Sequence, residues 1–313
     1  DSGAVRLHSS AGANGDLYIN ASTDAAVGGN LNVTATTGNI TQGRAVTVTG
    51  TSSFTTSQNN ADITLSRTDN AFTGTVALNT SGAGGDATVD NGTTALNMAA
   101  STVGGNLTLT GGHASGIIDS GTVTVGGNLI ATTDANSGVI NLGTLAVDGT
   151  VQLTTNGNGA ATVVNDAGLT FAASTVGGNL AATATTGNMT DDGVLTIAGT
   201  SSFTTSANNA DITLNNTNAL TGTVALNTSG STGHALVDNG TTALNMAAST
   251  VGGNLTLTSG HASGIIDSGT VTVGGNLIAT TDAGNGVITM DGLRVDGTVA
   301  LTTNGSGDAT GVN

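Results

Sequence analysis

Residues 251–275, VGGNLTLTSGHASGIIDSGTVTVGG, decide the fold. Three short runs, Asn254–Thr258, Gly264–Asp267 and Thr270–Val273, alternate with small or polar turns. In the first run Leu255 and Leu257 fall on one face and Thr256 and Thr258 on the other. That period of two is the signature of a strand. The same alternation returns at Leu31, Val33 and Ala35, at Ile63 and Leu65, and at Val76 and Leu78. Runs of four to six residues are too short for helices.

Working outward, the segment proves to be one turn of a repeat within a repeat. VGGNLNVTATTGNITQ from Val27 returns as VGGNLAATATTGNMTD from Val176, and DNGTTALNMAASTVGGNLTLT at 90–110 returns at 238–258. A shorter period is marked by Gly29, Gly50, Gly74, Gly105, Gly127 and Gly149, then Gly178, Gly199, Gly222, Gly253, Gly275 and Gly297. Most spacings lie in the low twenties, with a longer step of 31 in each long repeat and one of 29 between the two. The long repeats run approximately 27–175 and 176–313, six coils to a full repeat, with a partial coil at 1–26. The expectation is one continuous solenoid over 1–313. The longer steps are read as enlarged turns, at Ser81–Asp86 and Asn156–Ala160.

A sequence that repeats by coil stacks its strands in parallel, like residue on like. Three short strands per coil make a parallel β-helix, all-β, of about 12–13 coils. A right-handed coil follows from the handedness of parallel crossovers. Val, Leu and Ile fill the interior. At the corners, one G-G-N turn per coil is expected to stack Asn30, Asn106, Asn128, Asn179, Asn254 and Asn276. Gly and Asn tolerate left-handed backbone angles there, and the stacked amides are expected to hydrogen-bond along the axis.

The alphabet agrees. The chain has 313 residues, 50 of them Gly, with no Pro, Cys or Trp. Its cations are Arg6, Arg44, Arg67 and Arg294 alone; its 20 acidic residues are all Asp, and its net charge is -16. Without Glu and Lys a helical protein is hard to write. Without Cys there is no disulfide scaffold and no thiol chemistry. So acidic a chain has no basic patch for nucleic acid. No apolar run reaches the ~20 residues of a membrane span, so membrane insertion is not expected.

The strings ADITLNNTNALTGTVALNTSG (210–230) and LNMAASTVGGNLTLTSG (244–260) resemble the repeat region of filamentous-haemagglutinin-like exoproteins of two-partner secretion systems. The resemblance covers nearly the whole chain. It implies a right-handed β-helical shaft of an adhesin or fibre, outside a bacterial cell or on its surface. The family's secretion domain carries an Asn-Pro motif, and this chain has no Pro.

Candidate sites are few. His113 and His261 recur with Asp119 and Asp267 six residues on, and read as a repeated surface turn. No cofactor is expected. Asp oxygens suit weakly bound calcium, with Asp119 and Asp267 the weak candidates. Asp191–Asp192 is the one adjacent acidic pair; enzymes that hydrolyse polysaccharides need paired carboxylates, and an enzyme is not expected. The ends suggest self-association. The C-terminal GTVALTTNGSGDATGVN matches 149–165, which continues DAGLTFAAS, and the N-terminal DSGAVRLHSS resembles that continuation. Asp1, Ser2, Gly3, Ala4 and Val5 of one copy are thus expected to meet Ala309, Thr310, Gly311, Val312 and Asn313 of another, head to tail. The leading expectation is a structural, extracellular, non-catalytic protein with glycans or proteins of host or neighbouring cells as further partners. The alternatives are a glycan-binding module on the enlarged turns and, last, a polysaccharide-active β-helix enzyme.

Overall fold

The computed structural model describes residues 5–9, 16–19 and 25–313. All regular structure among them is β, in short strands from Val5–Ser9 to Ala309–Gly311. The chain is a right-handed parallel β-solenoid of about 13 turns. It divides into two compact units, Asp1–Gly159 and Ala160–Asn313.

In the first unit alternation becomes stacking. On one face Val33, Phe54 and Leu78 pair in register, one coil above another. On the next face Ile40, Ile63, Ala87, Leu107, Leu129 and Val151 form one inward column. All of these side chains are buried. A third face stacks Ala25–Val27, Val46–Val48 and Ala71–Phe72. Burying a Leu or Phe contributes about 1.5–3 kcal/mol, so these columns dominate the stability of each coil. Phe54 and Phe72 meet edge to face at 5.7 Å where two faces join. The second unit repeats the plan. Its column is Leu169, Met189, Ile212, Ala235, Leu255, Leu277 and Val299, and Phe171 meets Phe203 at 6.5 Å.

Glycine marks corners where backbone lies on backbone. Gly127 N–H donates to the Gly105 carbonyl at 2.9 Å, and Gly149 N–H to that of Gly127 at 3.0 Å. A Cβ on Gly127 would press on the Gly105 backbone and on Asn106 Oδ1.

Register corrects the reading of the spacings. Gly50 and Gly74 stack on Gly29, whereas Gly105 sits over Gly85, its N–H bonding that carbonyl at 2.9 Å. The glycine marks therefore follow two edges of the first unit, and likewise two in the second, where Gly253 sits over Gly233. The 31-residue step is a move to the next edge, with no 31-residue coil. Along one corner successive coils are separated by 23, 23, 24, 20, 22 and 22 residues. The expected enlargement near Asn156 is also absent: Gly159 N–H closes on the Asn156 carbonyl just as Gly138 closes on Ala135 and Gly116 on His113.

The shortest of those coils has a physical cause. After Ala71–Phe72 no strand continues the third face, and the side chain of Asn91 stands in its place. Asn91 Oδ1 accepts Phe72 N–H at 2.7 Å, and its Nδ2 donates to the carbonyls of Phe72 and Ala95 at 3.1 and 2.9 Å. One amide reproduces the donor and acceptor of a strand residue, so the chain reaches the next face with fewer residues. In the second unit Asn239 does the same for Leu220. Both Asn are fully buried.

Candidate functional site

Short polar residues stand one place before the strands of the second face, and the solenoid stacks those places along one edge. Strand pairing fails at a corner, so each corner N–H needs an acceptor. Along this edge of the first unit a side chain supplies it at each rung among the described residues. Asn39 N–H donates to Asp16 Oδ1 at 2.7 Å, Asp62 N–H to Asn39 Oδ1 at 2.8 Å, and Asp86 N–H to Asp62 Oδ1 at 3.0 Å. Asn106 N–H donates to Asp86 Oδ1 at 2.7 Å, Asn128 N–H to Asn106 Oδ1 at 2.9 Å, and Thr150 N–H to Asn128 Oδ1 at 2.8 Å. The second unit has its own ladder, through Asn188, Asp211, His234, Asn254 and Asn276 to Thr298.

The expected Asn column is thereby corrected in two ways. Asn106, Asn128, Asn254 and Asn276 lie on these ladders, but Asn30 and Asn179 stand at a different edge, where they accept from Thr51 and Thr200 N–H at 2.9 Å each. The bonds also run from a backbone N–H to a side-chain oxygen, not from amide to amide. A backbone N–H donates to whatever acceptor oxygen or nitrogen is offered, which is why Asn, Asp and His share the role. Sequence reading missed Asp16, Asn39, Asp62, Asp86, Asn188, Asp211 and His234 for that reason.

The other candidates are engaged with backbone as well. Asp119 accepts Gly143 N–H at 2.9 Å and, through its second oxygen, Thr144 N–H at 2.7 Å and Thr144 Oγ1 at 2.9 Å. Asp267 accepts Asp291 N–H at 3.0 Å and Gly292 N–H at 2.8 Å. Asp119 thus ties down the strand Ile140–Val147 and Asp267 a turn, each one coil on. Among the described residues no three His or Asp side chains gather as ligands for a metal ion. Asp191 is buried and accepts Asn215 N–H and Asn218 Nδ2 at 2.9 and 2.8 Å, while Asp192 is exposed, so the acidic pair does not converge. His113 and His261 each close their own turn, Nδ1 accepting Ser115 and Ser263 N–H at 3.0 Å.

Of the residues expected at an assembly contact, Asp1, Ser2, Gly3 and Ala4 lie outside the described residues. Val5 pairs with Leu31. Ala309, Thr310 and Gly311 pair with Ile288, Thr289 and Met290, and Val312 N–H donates to Met290 O at 3.0 Å. Asn313 Oδ1 accepts Val295 N–H at 2.6 Å and its Nδ2 donates to Val295 O at 3.1 Å, the same substitution of amide for strand that Asn91 makes.

Residues 2–79 and 158–227 match a family described as repeats of unknown function (DUF5649). No curated protein and no solved structure matches the chain. The family's repeats thus cover the start of each ladder, Asp16 to Asp62 in one unit and Asn188 and Asp211 in the other. The later rungs at Asn106, Asn128, Asn254 and Asn276 lie beyond the matched stretches and keep the same geometry.

Electrostatics distinguishes one carboxyl. Burial pushes Asp90 above the ordinary carboxylate range; the Gly92 N–H on its Oδ1 opposes this, and the carboxylates of Asp134 and Asp69 add to it. Asp69 itself is held low by the hydrogen bond from Arg67. A carboxyl raised on folding favours the native state while protonated and loses that contribution as pH rises through its folded pKa. Asp90→Asn, which stays neutral and keeps an acceptor for Gly92, is therefore expected to raise the thermal midpoint at pH 7 and leave it unchanged at pH 3. An equal rise at both pH values would show that charge is not the cause.

Proposed function

We propose that this chain is a structural, non-catalytic β-solenoid that works outside a bacterial cell, as the shaft of a filamentous adhesin or the subunit of a surface fibre. One observation carries the reading: Asp, Asn and His side chains along one edge of each unit, with Asp119 and Asp267, are engaged in holding the next coil, while His113 and His261 close their own turns. A unit whose successive coils are bonded along the axis at one edge suits load-bearing. It needs no cofactor. The resemblance to filamentous-haemagglutinin-like repeats adds the location and the adhesive role. The partner of first choice is a second copy, stacked head to tail, because parallel strand addition is what each coil already offers its neighbour. Glycans or proteins of host or neighbouring cells would meet the outward faces.

The test is antibody labelling of intact cells of the source organism, before and after protease shaving and permeabilisation. Labelling of intact cells that shaving removes is the expected result. Labelling that appears only after permeabilisation would overturn the extracellular reading. Sedimentation of the purified protein at rising concentration should reveal species larger than one chain; a single unchanging species would sink the self-association.

A further inference from the structure

One rung of the second ladder differs from its neighbours in kind. Asp211, Asn254 and Asn276 each accept through a side-chain oxygen, whereas His234 accepts Asn254 N–H through its ring Nδ1 at 2.8 Å. An imidazole nitrogen accepts only while it carries no proton; in the imidazolium both nitrogens are donors. We propose that His234 makes this corner of the second unit a pH-sensitive joint. When the ring takes up a second proton, Nδ1 changes from acceptor to donor and releases Asn254 N–H.

The surroundings leave the ring no simple way to keep the bond. Gly253 packs so closely that a Cβ there would meet the ring at Nδ1. A protonated Nδ1 therefore faces the Asn254 N–H at close range, and either the ring turns away or the corner opens. The charged group facing it from the coil below is Asp211, whose Oδ1 accepts His234 N–H at 2.7 Å; it is the anion toward which the charged ring can turn. The strand above, Leu255–Ser259, carries no titratable side chain, and Asp238 closes the far end of the strand Ala235–Asp238 that His234 precedes.

The molecule contains its own control. At the equivalent place in the first unit stands Asp86, which accepts Asn106 N–H at 2.7 Å. The local sequences around Asn106 and Asn254 are identical over STVGGNLTLT. Their intrinsic amide exchange rates are therefore the same at any pH, and the ratio of their protection isolates the acceptor.

The experiment is native-state hydrogen exchange of the whole chain between pH 8 and pH 5, read at the Asn106 and Asn254 amides. Peptides must extend to Gly111 and Ser259, where the two copies first differ. Protection of Asn254 relative to Asn106 is expected to fall by about tenfold toward pH 5, the worth of one hydrogen bond. In His234→Asp the fall should vanish, and His234→Asn serves equally, since both residue types hold rungs elsewhere. A ratio that stays flat in the wild-type chain, or a fall that persists in either variant, would overturn the proposal.

Discussion

Asn91→Ala is expected to cost about 4 kcal/mol of unfolding free energy, from the roughly 1–3 kcal/mol that each orphaned buried polar group costs. The substitution removes the one side chain that replaces a strand above Phe72. It strands the buried Phe72 N–H and Phe72 carbonyl and also removes the bond to the half-buried Ala95 carbonyl. The loss should appear as a lower denaturant midpoint and as faster exchange of the Phe72 amide. Asn97→Ala supplies the comparison. Asn97 lies in the same coil, but its Oδ1 has no partner, so its loss should stay within about 0.5 kcal/mol. Equal effects of the two would show that the amide of Asn91 does not substitute for a strand.

Gly127→Val should be as damaging, by about 3 kcal/mol or more, through forced separation of coils. Its Cβ would be driven into the Gly105 backbone and Asn106 Oδ1. The coil must either shift or part, and the bonds of Gly127 to Gly105 and of Gly149 to Gly127 go with it. Gly143 is the contrasting site. A Cβ there meets nothing nearer than Asp119 Oδ1 at 3.9 Å, and its N–H, the group that bonds Asp119, survives substitution. Gly143→Ala is expected to be neutral, or stabilising by about 0.5 kcal/mol through reduced freedom of the unfolded chain. Thermal unfolding of the two variants side by side decides this. A Gly127→Val protein that melts with the wild type would mean that close backbone approach does not hold the corner.

Much of this architecture is legible in the sequence, for a simple reason. Leu107 and Leu109 alternate with Thr108 and Thr110, and period-two burial follows directly from strand geometry. The duplicated V-G-G-N-L strings give the coil and its parallel stacking. The edge on which each motif sits is not legible. A 31-residue gap between Gly74 and Gly105 reads the same whether a turn has grown or the motif has moved to the next corner. Only the hydrogen bond from Gly105 to Gly85 separates the two. Asn91 is hidden differently. Followed by Gly92, it reads as a turn residue, yet it lies fully buried and takes the bonds of a strand. The ladder was half visible, because the G-G-N string holds only Asn106, Asn128, Asn254 and Asn276 of its members. Asp62, Asp86 and His234 share their position and not their identity.

The ladder also has a direction. At each rung the acceptor is a side chain on the earlier coil, and the donor is a backbone N–H on the later one. A chain that emerges N-terminus first from a ribosome therefore meets, at each rung of the ladder, an acceptor already placed on the coil before. Folding becomes vectorial: each completed coil is the mould for the next, and the order of synthesis is also the order of assembly.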